Sequence, residues 1–275
     1  MSEKTTTISP SGNSLGGSLY ELWQNPGVLR ALTLRDIRVR YAQTILGLGW
    51  GLVQPVLGLA AVFILFFKLA GVDSGSTPYL VFALSGLVIW NYFYYLTTQS
   101  AAGLVHMQAM IRKIYFPRLS IPVSKVMVGL IDLAIGLLLL SGVLLYYHID
   151  FSGIWMIIPT VLLTAAAGLG VGLIISAVSL RYRDLQQILP FLLQVHFFLT
   201  PIAYPASLMD KFLTQETIWV AYLNPLTGIL DLWRQSLFDS PASPYSWISA
   251  LISLSLLTVG VVFFTRIERK MADLV

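Results

Sequence analysis

The chain has 275 residues, 56% of them hydrophobic and only 11% charged, with a mean hydropathy of +0.77. A soluble domain carries about 25% charged residues, so this composition argues against a water-soluble globule, and the absence of cysteine removes a disulfide scaffold, a thiolate metal site and cysteine catalysis. His106, His148 and His196 share no close spacing, so no metal site is expected, and the formal net charge of +4 matters less than which ends of the apolar segments carry it.

Residues 1–18 are rich in Ser, Thr and Gly and read as a disordered tail, not a signal peptide, because no apolar core follows a basic start. Pro26 after Asn25 suits a helix start, and the helix should run to about Tyr41. Its charges Arg30, Arg35, Asp36, Arg38 and Arg40 fall around most of the wheel, so it either touches both lipid headgroups and protein or serves as a simple basic anchor. Beyond it the stretches 41–67, 74–111, 151–180, 185–209 and 240–265 carry no charge, and each exceeds the ~20 residues that cross a bilayer. The second holds one span only, because Gln99, His106 and Gln108 make its later part polar.

The run 119–147 contains Lys125 and Asp132. A central aspartate costs about 2.5–3.5 kcal/mol, but each of the many Leu, Ile and Val residues around it returns about 0.3–0.6, so this run is a span too. The segment 217–230 is too short to cross, is broken at Asn224-Pro225, and reads as re-entrant or interfacial. The expected fold is therefore an all-α integral membrane protein. A six-span domain, residues 19–275, follows the tail, with spans near 47–70, 79–103, 121–147, 154–179, 187–204 and 246–264 and an outer region at 205–245. Six spans put both termini on one side. Nearly all the lysines and arginines collect there, leaving Lys68, Lys211 and Arg234 opposite, which makes the termini cytoplasmic.

No lysine follows a glycine, so the phosphate-binding G-x-x-x-x-G-K-[ST] loop is absent and ATP-driven work requires a partner. Asp132 is a functional candidate by its depth, or a satisfied partner of Lys125 two helical turns away; a proton or sodium relay is not expected. The segment HMQAMIRKIYFPR, 106–118, predicts a short amphipathic helix ending at Phe116-Pro117, and RYRDLQQ, 181–187, a second basic loop. Both suit either docking to a cytoplasmic partner or basic anchoring. Aromatic side chains in the spans suit sugar rings or an interfacial belt, and Gly168, Gly170 and Gly172, with Gly47 and Gly51, suit close helix packing.

The runs LRDIRVRYAQTILGLGWGLVQP (34–55), IRKIYFPR (111–118), RYRDLQ (181–186), TPIAYP (200–205) and NPLTG (224–228) resemble, in this order, the membrane subunit of bacterial polysaccharide ATP-binding-cassette exporters, which handle O-antigen, capsular polysaccharide and teichoic acid. The resemblance covers about residues 20–270. It implies an inner-membrane homodimer working with two cytoplasmic nucleotide-binding ATPase subunits, which bind ATP and Mg while this chain binds no cofactor and has no catalytic residue. Undecaprenyl-linked polysaccharide, O-antigen foremost, would pass between the protomers. The interface helix would carry Arg30, Arg35, Asp36, Arg38 and Arg40. The coupling segment would contact the ATPase through His106, Met107, Met110, Arg112, Lys113, Tyr115, Phe116 and Arg118, with Arg181, Arg183 and Asp184 as a second contact. Phe63, Phe66, Phe67, Trp90, Tyr94, Phe191, Phe197, Phe198 and Tyr204 become candidates for guiding sugars, and 205–245 would hold outer gate helices. An exporter of another lipid, drug or peptide shares this architecture. A membrane enzyme is disfavoured because Asp73, Asp150, Asp231 and Asp239 form no convergent cluster, and no nucleic-acid partner is expected.

Overall fold

A computed structural model describes residues 15–42, 45–75, 77–111, 113–149, 153–211, 213–214, 216–238 and 242–270. Residues 1–14 of the expected tail lie outside these, whereas 15–18 are not a tail: they open helix α1 (Leu15–Gln24). Asn25 closes α1, its side-chain amide donating to the Glu21 carbonyl at 2.9 Å, and Pro26, whose missing N–H costs nothing at a first helical position, starts α2 (Pro26–Ile37). A π-helical turn, Arg38–Ala42, follows.

The first span is Gly47–Leu69, built from a 3₁₀ turn, α3 (Trp50–Val62) and a π-helical turn over Phe63–Leu69. Then come α4 (Tyr79–His106), α5 (Gln108–Ile111), α6 (Ser120–Tyr146), α7 (Ile157–Ser179), α8 (Leu185–Leu199), α9 (Pro225–Phe238) and α10 (Ser246–Lys270). No strand occurs among the described residues. Five segments are long and apolar enough to cross a membrane: Gly47–Leu69, Tyr79–His106, Ser120–Tyr146, Ile157–Ser179 and Ser246–Glu268.

Two expectations change. Within the span expected at 187–204 the helix is α8 alone, whose 15 residues rise about 22 Å against a hydrocarbon core of about 30 Å, and the residues to 204 continue as turns and bends. The helix stops because Thr200 precedes Pro201 and is pushed into an extended conformation. The helix expected over 106–118 is the single turn α5: α4 runs through His106, Met107 breaks the helical geometry, and residues 114–117 are irregular ahead of Pro117. The segment 217–230 divides at the predicted break into a 3₁₀ turn, Ile218–Leu223, and α9, where the Asn224 side chain accepts the Leu226 N–H at 3.0 Å.

Helix α4 is the centre of the bundle, packing on α7, α6, α3 and α8, while α7 also packs on α10. In its most apolar stretch 78% of residues are buried, against 11% in the first span, which places α4 inside and leaves α3 at the edge. Two glycine faces of α7 make the close crossings possible. A Cβ on Gly172 would lie 2.6 Å from the Ser100 Cβ on α4, and one on Gly170 would lie 2.5 Å from the Leu256 carbonyl carbon on α10, where Gly260 faces it. Gly170→Leu is therefore expected to force α7 from α10 and lower the detergent melting temperature, read by tryptophan fluorescence, by the equivalent of about 3 kcal/mol. A melting curve matching the parent would refute the contact.

Candidate functional site

The helix α2 lies along the first turns of α6, and its charges meet partners that sequence spacing did not indicate. Lys125 does not pair with Asp132. Its Nζ donates instead to Asp36 Oδ2 at 2.5 Å, while Arg35 holds Asp36 Oδ1 at 2.6 Å. Asp132 is held by Arg40 at 2.5 Å and by the Tyr41 hydroxyl at 2.6 Å. The extra residue in the π-helical turn swings Arg40 and Tyr41 onto Asp132, and the Arg40 guanidinium stacks 4.4 Å over the Tyr95 ring. Burial alone would raise the Asp36 carboxyl, but hydrogen bonds from Lys125 and Arg35 outweigh it and hold the group below its ordinary value of 3.8. Burial and the bond to Asp132 push the Tyr41 phenol up to about 12. Arg30 and Arg38 remain exposed.

The expected coupling residues divide by burial. Met107 and Phe116 sit in a core cluster with Leu32, Leu104 and Phe264, fastening the loop to the bundle. Arg118 donates to the Glu268 carbonyl at 3.0 Å, and the Tyr115 hydroxyl donates to Glu21 Oε2 at 3.3 Å, tying the loop to both terminal helices. Met110 is half-buried, and His106, Lys113 and Tyr115 are exposed; Arg112 lies outside the described residues. Arg181, Arg183 and Asp184 are exposed in a turn joined to α4 through Gln186, which reaches the Ala101 carbonyl at 3.4 Å.

The aromatic candidates fall into two groups. Phe63 and Phe67 stack at 5.0 Å, Phe67 stacks on Tyr79 at 5.2 Å, and Phe66 meets Phe198 across the gap to α8 at 6.4 Å. Trp90 is buried among Phe93, Tyr94, His196 and Phe197, so it supports a wall rather than presenting a face. Phe191 and Phe198 are exposed, and the Tyr204 hydroxyl donates to the Phe198 carbonyl at 2.9 Å. Tyr79 and His196 join these groups although sequence reasoning did not place them there; the signal was only their membership of the same spans.

Arg234, assigned by sequence to an outer loop, is 5% exposed and engaged inside the fold through both terminal nitrogens of its guanidinium. It donates to the carbonyls of Pro201 at 2.6 Å and Ile202 at 2.7 Å, and its guanidinium lies 3.6 Å over the Phe82 ring. It thereby fixes the chain just beyond α8, where two prolines leave backbone acceptors without helical donors. Burial raises the nearby Asp231 carboxyl, opposed by the Tyr222 hydroxyl at 2.6 Å and by Arg234.

Residues 27–238 match the family model of the ABC-2 type transporter, which accounts for most of the chain. The chain belongs to the ABC-2 type transporter membrane family. Its relatives include an O-antigen export system permease protein RfbA of Klebsiella pneumoniae, 29% identical over 93% of this chain and 97% of the relative, and one of Myxococcus xanthus, 26% identical over 90% and 95%. A polysialic acid transport protein KpsM of Escherichia coli is 24% identical over 88% and 94%.

In this ABC-2 family chain the described residues contain no group of three or more His, Asp or Glu arranged to hold a metal ion. The carboxylates of Asp36, Asp132 and Asp231 are each engaged by a neighbouring cation or hydroxyl. Such groups hold helices together.

Proposed function

We propose that the chain is the membrane subunit of an ATP-driven exporter in which two copies, served by two separate ATPase subunits, move an undecaprenyl-linked polysaccharide out of the cytoplasm, with O-antigen the foremost cargo. The observation that carries this reading is the open side of α3 and α8. There Phe66 meets Phe198, Phe191 stands exposed, and only 11% of the first span's most apolar stretch is buried within its own chain. Aromatic faces accept the apolar faces of sugar rings, and a second copy would close such an open half into a conduit. The names of the relatives, O-antigen and polysialic acid transport proteins, support a polysaccharide cargo.

In this reading α8, with the residues to 204, is a short fifth of six spans, α2 is an interface helix at the cytoplasmic surface, and both termini are cytoplasmic. The exposed His106, Lys113 and Tyr115, with Arg181, Arg183 and Asp184, face the ATPase subunits, which hold ATP and Mg. The region 205–245 forms the outer gate. Deleting the gene should abolish surface polysaccharide and trap lipid-linked glycan inside the cell. Loss of the glycan from both places would indicate an enzyme or assembly factor, and unchanged glycan in both would point to another lipid, drug or peptide as cargo.

A further inference from the structure

Helix α4 is buried almost throughout, yet one stripe of it stays open and polar. Asn91, Tyr94 and Thr98 fall at intervals of three and four residues and so share a face, which Gln99 flanks. Asn91 and Tyr94 are exposed, and Thr98 and Gln99 are half-exposed, at positions from mid-helix toward the end that carries the basic loops. This stripe floors a trough of about 400 Å³. Gln54 and Pro55 of α3 form one wall and Asp132 and Gly136 of α6 the other, with Arg40 at the foot. Two further hollows, of about 370 and 420 Å³, adjoin it at Arg40. Small-ligand sites commonly occupy about 300–1,000 Å³.

Three features show what the trough suits. The side-chain amides of Gln54, Asn91 and Gln99 make no hydrogen bond to another described residue, and in the wall the Tyr92 hydroxyl, on a residue 2% exposed, also lacks a partner. Unpaired amides at membrane depth are costly against acyl chains, so this face does not meet lipid. The Arg40 charge is offset by Asp132 at 2.5 Å, which leaves the trough without the net positive field an anion requires. Amides, which both donate and accept, match hydroxyl groups, which do the same, and Tyr94 offers an apolar face beside them.

We propose that this trough binds neutral sugar rings of the cargo, a hydroxyl-reading site separate from the aromatic residues of α3 and α8. The inference rests on the exporter reading above. Its test places the photo-crosslinker benzoylphenylalanine singly at Asn91, at Phe198 and at Leu138, an exposed leucine of α6 turned away from the trough, in the full exporter with its ATPase subunits, in cells fed radioactive sugar. Label at position 91 several-fold above that at 138 is expected. Label at 198 with none above background at 91 overturns the trough and leaves the exporter reading intact; label at neither overturns both. A second arm replaces the amides. Gln54→Leu with Asn91→Leu should cut export about tenfold at unchanged yield of the complex, as expected for two lost hydrogen-bonding groups. Gln54→Asn with Asn91→Gln should retain most of it. Full export by the leucine double variant overturns the proposal.

Discussion

Arg234→Leu is expected to abolish accumulation of folded protein in the membrane, the largest effect among the substitutions considered. The change leaves the Pro201 and Ile202 carbonyls without their donors in a dry interior, at about 1–3 kcal/mol for each, and strands Asp231 beside an apolar side chain. Total stability of a domain is only about 5–15 kcal/mol, so a loss of this size is enough to unfold it. Arg234→Lys should fall between, because a single ammonium cannot reach both carbonyls and cover the Phe82 ring as the planar fork does. Gly86 offers an independent check from another helix. A Cβ there would lie 2.8 Å from the Arg234 Nη2 and 2.7 Å from the Ile202 carbonyl oxygen, so Gly86→Val should reproduce the defect without touching the charge. Both are read by yield from membranes and by tryptophan-fluorescence melting in detergent. Parent-like yield of Arg234→Leu would show that the chain after α8 is held by other contacts.

The second large effect is expected at the dock between α2 and α6. Lys125→Glu sets a carboxylate against Asp36 where both native side chains are nearly buried, and removing one partner of such a pair costs about 3–5 kcal/mol. The loss should appear locally, as loosening of α2, which otherwise is held by buried Leu32, the partly buried Val28 and Ile37 and, through the turn after it, the second pair at Asp132. Trypsin should then cut after Arg30, Arg35 or Arg38 at least tenfold faster in detergent. The exchange Asp36→Lys with Lys125→Asp should restore much of the protection, and equal cleavage of Lys125→Glu and parent would dismiss the dock. Since the folded Asp36 pKa lies below 3.8, its contribution is fully present above that value and is lost only as pH falls through the lower folded value. The dock therefore holds across neutral pH and loosens in strong acid.

Much of the fold was legible in the residues. Five long charge-free or nearly charge-free runs became membrane-length helices, because no water reaches the hydrocarbon and only a continuous helix satisfies the backbone there. The break at Asn224-Pro225 and the packing role of Gly51, Gly168, Gly170 and Gly172 were read correctly for the same local reasons: proline lacks a donor, and glycine lets backbones approach; Gly47 instead takes a positive φ of 53° in the turn before α3 and meets no neighbouring helix closely. Local rules failed where length or partner mattered. The run 185–209 was long enough in apolar residues, but Pro201 ended the helix at Leu199, and the break at Met107 with the irregular stretch 114–117 reduced the expected helix at 106–118 to one turn.

What the sequence by itself determined is the class of protein, its helices and the order of its motifs, since hydropathy, proline and glycine act on the residues next to them. Which charges meet was decided only by tertiary structure. Lys125 and Asp132 are in register on one helix, yet Lys125 found a better partner on α2 and Asp132 in the π-helical turn that follows it, because an ion pair depends on distances across a packed interface and on a turn that no spacing announces. Arg234 shows the same limit: a cation written in a loop-like segment became the buried donor that the chain beyond α8 required, once the fold had carried α9 into the interior beside it.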